Sequence, residues 1–282
     1  MSDQALPVSV IIPCHECAES IDRALLSVER QSRLPRQVIL VDDASADGGR
    51  TLERLQAFQR RAQGLIDEVV VIALPANVGP GEARNIGWER ATEKFVAFLD
   101  ADDAWHPDKL RLQCAWMLDH PQAVMTGHRT RLWDGREDPL PTGGLRAALQ
   151  ASPVSRRRLL LRNVLPTRSV MLRRELGLRF EPGMRRSEDY HLWLRIVLRG
   201  DRAWLLEMPL SYSFKADFGA SGLSASLWKM EKGELETYSR LRSAGYYSAL
   251  VWSGLCLWSW FRFLRRLALV RHRAAAAPDG GD

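Results

Sequence analysis

Along the first hundred positions, short β-branched apolar runs alternate with stretches of helical periodicity. Val8 to Ile12, closed by Pro13, reads as a buried strand. Ile21, Ala24, Leu25 and Val28 then recur at helical spacing, with Ser20 available as the N-cap. The same reading predicts a strand over Gln37–Val41, a helix over Thr51–Ala62 and a strand over Glu68–Leu74. A helix over Pro80–Thr92 then feeds a fourth strand over 94–99. This alternation predicts a parallel, doubly wound α/β sheet. Beyond Leu118 the rhythm changes. Ala123–Trp133 reads as a strand, 134–152 as a mobile Gly/Pro-rich loop, and Ser169–Leu172 as a short strand. Glu188–Leu198 reads as an amphipathic helix closed by Gly200, and Ala203–Phe214 as one or two more strands.

The last stretch, 246–270, is of another kind. Tyr246, Tyr247, Trp252, Trp258, Trp260, Phe261 and Phe263 are mixed with Leu and Val and followed by Arg262, Arg265, Arg266, Arg271 and Arg273. The uncharged run from Tyr246 to Phe261 is shorter than the ~20 apolar residues of a spanning helix. Aromatics beside arginines suit a helix lying in a membrane interface. The alternative is a last helix packed on the core or in a homodimer. The expected division is therefore an α/β domain over 1–215 and a lid plus helical, membrane-associating segment over 216–282.

Composition changes this picture in two ways. Of 282 residues, 46% are hydrophobic and 26% charged, which is ordinary for a globular chain, but the formal charge of +6 gathers in the second half. Arginines at 156–158, 173–174, 185–186 and 262–273 suit phosphates, nucleic acid or an anionic membrane face. No recognisable nucleic-acid motif accompanies them, so no nucleic-acid partner is expected. Four cysteines do not make a disulfide framework in a chain of this size, and Met1 leads through polar residues into the first strand without a secretion signal. A cytosolic, reducing setting is expected.

Candidate chemistry lies at strand ends. Phe95 to Leu99 runs straight into Asp100, Asp102 and Asp103. Clustered carboxylates repel one another unless a cation sits among them, so the run reads as a hard-metal site at the carboxyl end of a strand. An acidic turn capping the next helix is the alternative. The strand before Asp42-Asp43 ends the same way, and in a parallel sheet both exits share one edge. Gly79-Pro80-Gly81 lacks the third glycine of a dinucleotide loop and follows the wrong strand, so no NAD site is expected. Cys14-His15-Glu16-Cys17 is a lone CxxC without a second pair and reads as structural. Ser187-Glu188-Asp189-Tyr190 opens a helix, either as its cap or as a general base for a hydroxyl.

Taken in order, Val8–Pro13, Val41-Asp42-Asp43-Ala44-Ser45, Asn77-Val78-Gly79 through Ala83-Arg84-Asn85, Phe98–Asp103 and Ser187–Tyr190 resemble the motifs of family 2 glycosyltransferases with the GT-A fold. The resemblance covers roughly residues 6–215. It implies an inverting, metal-dependent transfer from a UDP- or dTDP-sugar to a hydroxyl of a glycan or lipid-linked acceptor. The work would be cell-envelope polysaccharide synthesis on the inner face of the cytoplasmic membrane. Pro13 and Glu16 would border the nucleotide, Asp42 hold the base, and Arg84 lie near the diphosphate. Asp100 and Glu188 would also contact the nucleotide-sugar. Asp102 would bind Mg²⁺ or Mn²⁺, Asp189 would be the catalytic base, and Asp103 would remain a helix cap. Cys14-His15 replaces the family's aromatic-Asn pair. Two rivals are a sugar nucleotidyltransferase, which needs a glycine-rich basic loop after the first strand, and a non-catalytic nucleotide-sugar-binding protein. Acceptor choice is expected from 134–167 and 215–230, with Lys215, Phe218 and Ser221–Ser224 as a lid.

Overall fold

The computed structural model describes residues 5–133, 149–214 and 227–276. The first half alternates as the pattern predicts. β1 (Leu6–Cys14), α1 (Ile21–Glu29), β2 (Pro35–Asp42), α2 (Arg50–Arg61), β3 (Glu68–Ala73), α3 (Pro80–Arg90) and β4 (Phe95–Phe98) follow one another. The four strands lie parallel in the order β3-β2-β1-β4. Val10 pairs with Val38 and Ala97, and Ile39 with Val70. Both faces of this sheet are covered, so its strands are mostly apolar. Ile11, Ile39, Val41, Val96 and Phe98 point into one core, while Val10, Ile12, Val38, Leu40 and Ala97 point into the other. Strand periodicity of two divides a single apolar run between two cores.

The second half extends the sheet with mixed polarity. It holds β5 (Asp103–Trp105), α4 (Lys109–Asp119), β6 (Ala123–Leu132), β7 (Ala151–Pro153) and α5 (Arg156–Leu161). A 3-10 turn at Thr167–Ser169 then leads to β8 (Met171–Arg173), α6 (Glu188–Leu198) and β9 (Arg202–Ser213). β8 runs antiparallel to β4, and the sheet continues β8-β6-β9-β5, with β7 also on β9. Two helices follow, α7 (Leu227–Ser243) and α8 (Ala249–Ala276).

Three expectations need correction. Residues 151 and 152, read as loop, belong to β7; the rest of that loop, and the proposed lid at Lys215, Phe218 and Ser221–Ser224, lie outside the described residues. Asp103 caps no helix. It pairs with Ser213 in the β5–β9 ladder, and α4 begins only at Lys109. Ser20 and Ser187 stand at helix starts without a side-chain cap bond, and Ser187 adopts the left-handed conformation. α5 and α7 carry no strong periodic signal, because packing against α6 and α8 rather than propensity holds them.

α3 lies so close to the sheet that one glycine is required. A Cβ on Gly87 would stand 2.6 Å from Ile11 Cγ2, inside the fully buried core. Gly87→Ala should therefore destabilise the fold by about 1–3 kcal/mol. On the open face of α8 a Cβ on Gly254 meets nothing within 4 Å. Gly254→Ala there should stabilise by up to ~1 kcal/mol. Urea unfolding of the two variants side by side checks both signs.

Candidate active site

The strand exits converge on one edge, as a parallel sheet requires. Two of them are tied together by Asp43. Its carboxylate accepts from the backbone N–H of Val78 at 2.7 Å and of Gly79 at 2.9 Å, which fixes the loop entering α3. Its carbonyl accepts from His15 Nδ1 at 2.9 Å and from Asn77 Nδ2 at 3.2 Å. A carbonyl can only accept, so the bond from His15 is made by the tautomer with its proton on Nδ1. Asp42, its neighbour in sequence, is committed locally. Oδ1 accepts from Ser45 Oγ at 2.5 Å, and Ser45 Oγ in turn accepts from the N–H of Glu16 at 2.9 Å. Pro13 sits opposite Val41 in the ladder, one step before this junction.

Among the described residues three non-glycine residues have positive φ: Glu16 at 46°, Ala44 at 53° and Ser187 at 55°. Each sits at one of the converging motifs. Such conformations are uncommon and cost about 1–3 kcal/mol each, and they cluster where the surrounding structure fixes a site.

At the centre lies Arg84. From the fifth residue of α3 its Nη2 donates to Asp100 Oδ1 at 2.7 Å and its Nη1 to Glu188 Oε1 at 2.8 Å. Burial opposes the charge, but the attraction of Asp100 and Glu188 outweighs it, and the guanidinium is held charged. Beneath it Trp88, Phe98, Phe180 and Trp193 pack in tilted and edge-to-face pairs, with Phe98 and Phe180 centroids 5.3 Å apart. Gly81 makes the approach of α6 possible, since a Cβ there would lie 3.0 Å from Glu188 Cγ. The fork thus joins the turn after β4 to the start of α6, although the two motifs are 88 positions apart in sequence, Asp100 to Glu188.

Asp189 follows at once. Its Oδ2 accepts from Thr167 Oγ1 at 3.1 Å and Asn163 Nδ2 at 3.2 Å, and Oδ1 from the N–H of Tyr190 at 2.7 Å. Burial pushes its carboxyl up to about 6, and neighbouring Glu188 adds to this, against the pull of Tyr190 N–H, Arg84 and Thr167. A half-buried carboxylate oriented by three donors and poised near neutrality can serve as a base.

Asp102 stands half-buried on the turn after β4, and its carbonyl accepts from Arg23 Nη2 at 2.9 Å. Asp103 is turned inward to Arg168, 2.9 Å away. Burial raises Asp103 to about 7; Arg168 draws it down while Asp100 and Asp102 add to the rise. Among the described residues no cluster of three or more His, Cys, Asp or Glu closes on a single point as a metal cage. Asp100 and Asp102 nonetheless offer oxygen donors alone on a turn crowded with negative charge. That set fits a hard divalent cation whose remaining ligands are phosphate oxygens and water.

The sequence motifs therefore meet: Arg84 ties Asp100 to Glu188, with Asp189 next in the chain, and Ser45 links Glu16 to Asp42, with Pro13 on the neighbouring strand. Sequence reasoning missed Asp43, Asn163, Thr167 and Arg168. Asp43 was hidden by its neighbour, and the other three lie in an irregular segment that carries no periodic signal.

The family model described as Glycosyl transferase family 2 matches residues 9–176. The chain is 29% identical over 245 residues to the putative teichuronic acid biosynthesis glycosyltransferase TuaG of Bacillus subtilis, covering 86% of this chain and 91% of that one. Among solved structures it is similar to S. aureus TarS in complex with UDP-GlcNAc, with a TM-score of 0.66, 21% identity, and coverage of 88% and 70%. It is also similar to the mannosyltransferase PcManGT of Pyrobaculum calidifontis in complex with GDP-Man and Mn²⁺, with a TM-score of 0.62, 18% identity, and coverage of 98% and 82%. At such identities the structural likeness is one of fold.

Arg84 makes the first test. Removing one partner of a buried ionic network leaves the others uncompensated, so Arg84→Met should destabilise by about 3–5 kcal/mol. Arg84→Lys, which keeps the charge but loses the two-pronged geometry, should fall between it and the native chain. Chemical denaturation of both variants checks the order.

Proposed function

The chain belongs to glycosyl transferase family 2 and has its GT-A fold, and from that premise we propose an inverting transfer from a UDP- or dTDP-sugar to a hydroxyl of a glycan or lipid-linked acceptor. The proposed setting is synthesis of a cell-envelope polysaccharide at the cytoplasmic face of the inner membrane; the Bacillus relative is named for teichuronic acid biosynthesis. Among the described residues no helix is long and apolar enough to cross a membrane, and the attachment proposed there is peripheral.

The observation that carries this reading is the clamped, raised carboxyl of Asp189 joined through Glu188 and Arg84 to Asp100. Ionised at neutral pH, Asp189 takes the proton of the acceptor hydroxyl as its oxygen attacks the anomeric carbon. Thr167 and Asn163 hold Oδ2, so the orientation of the base is fixed before the acceptor arrives. The attack comes from the face opposite the leaving nucleotide, which inverts the centre. Asp42 faces the base, with Pro13 and Glu16 bordering it, and Asp100 with Glu188 lines the sugar and ribose side. Arg84 lies beneath the diphosphate and positions both of those carboxylates. Asp102 would hold Mg²⁺ or Mn²⁺, which when bound neutralises the charge growing on the diphosphate.

Asp189→Asn should lower transfer by about 10²–10⁴-fold while UDP still raises the melting temperature. Undiminished transfer removes Asp189 from its role. Because the group is an acid whose base form works, native activity should fall as pH drops below about 6 and level off above it. For Asp102→Asn, the added thermal stabilisation that Mn²⁺ gives over UDP alone should vanish. Persistence of that increment assigns the cation to other residues.

A further inference from the structure

α8 carries polar anchors on its inner face and a row of large apolar residues on its outer one. Its polar groups face the protein: Ser259 Oγ donates to Glu231 Oε1 at 2.7 Å, Arg266 pairs with Glu231 at 3.3 Å, and Arg262 pairs with Glu234, both acids lying on α7. Leu255 and Phe263 are buried against the body, but a second set of apolar residues faces away. Leu250, Leu257, Phe261 and Leu264 are 84%, 72%, 59% and 57% exposed and recur at helical spacing, so they form one stripe, with exposed Arg265 beside it. Amphipathic helices of globular proteins bury the opposite face. A stripe of this kind marks a surface that meets something apolar.

The stripe does not end on α8. Trp258 stacks on Phe261 and donates through its indole N–H to the carbonyl of Leu161, the last residue of α5, at 3.1 Å. Leu161 is itself exposed, and around it stand exposed Arg156, Arg157, Arg158 and Arg162. Neither 139–174 nor 237–278 contains an Asp or Glu, so the two segments that meet here carry basic charge only. The other end carbonyls of α5 are taken by the catalytic helix and by α7. Tyr190 Oη reaches the carbonyls of Leu159 and Leu160, and Tyr238 Oη that of Leu160. After Arg162 the chain passes directly into Asn163 and Thr167, which hold Asp189.

We propose that α5 and the outer face of α8 together form a docking surface for an anionic lipid bilayer, in which the leucines and aromatics enter the interface and the arginines meet phosphate headgroups. This deepens the reading above and rests on it for the acceptor. The segment 156–167 is at once the edge of the docking surface and the wall of the base, so the acceptor it suits is one anchored in that bilayer. Charge decides between lipid and a second copy of the chain: two all-basic faces repel each other, whereas an anionic surface adds attraction with every arginine.

The test is flotation of the full chain with phosphatidylcholine vesicles with and without phosphatidylglycerol. Binding should require phosphatidylglycerol. Leu257→Ser/Phe261→Ser and Arg156→Glu/Arg157→Glu should each weaken it by about tenfold or more. Both variants should keep the melting-temperature rise given by UDP, and vesicles should slow amide exchange at 156–162 as well as along α8. An α5 variant that floats like the native chain, with no protection at 156–162, overturns the proposal. So does a stable dimer in sedimentation equilibrium that ignores vesicles. Vesicle binding without any response to nucleotides would leave the surface standing and reject the sugar-transfer reading instead.

Discussion

One buried cation organises this molecule. Arg84 stands where three elements meet and divides its guanidinium between the turn after β4 and the start of α6. A buried ionic network of this kind yields little net stability compared with a well-packed apolar replacement. Its value is geometric. A fork of fixed shape accepts two carboxylates in only one relative placement, and so it sets the distance between the turn after β4 and the start of α6. The aromatic floor of Trp88, Phe98, Phe180 and Trp193 keeps water from beneath it, which strengthens every interaction above.

Around that fork the edge of the sheet is held under strain. Glu16, Ala44 and Ser187 adopt left-handed backbones without being glycine, and each is overdetermined by neighbours. Glu16 donates its N–H to Ser45, the carbonyl of Ser187 accepts from Thr237 on α7, and Asp43 beside Ala44 holds the loop of α3. Thus α7, outside the α/β sheet, supports a residue one step from the carboxylate pair Glu188-Asp189. On the turn at 100–103, burial raises the Asp103 carboxyl against the pull of Arg168.

The architecture of the first hundred residues was legible because parallel strands covered on both faces leave unbroken apolar runs, and β1, β2, β3 and β4 fall within a residue or two of their expected places. The converging carboxylates were legible for the same reason: a parallel sheet sends Asp42 and Asp100 to one edge. What could not be read was anything set by contact between distant segments. Asp103 looks like a cap in sequence, yet a ladder with Ser213 and a pair with Arg168 claim it. Asn163 and Thr167 lie between short elements with no pattern of their own, and only the fold brings them to Asp189. The tail gave its chemistry but not its orientation, because a hydropathy pattern cannot say which face turns inward.

That orientation has a thermodynamic corollary. The helix is tied to the body by polar bonds from Ser259, Arg262 and Arg266 to Glu231 and Glu234. Such bonds strengthen as the surrounding dielectric falls. A medium that covers the outer leucines also dries the seam behind them, so whatever occupies the outer face tightens the joint on the inner one. Occupancy and ordering of the tail are linked functions: each raises the free energy needed to undo the other. Heat or denaturant should find the last helix to be the least independent part of the covered protein and the most independent part of the bare one.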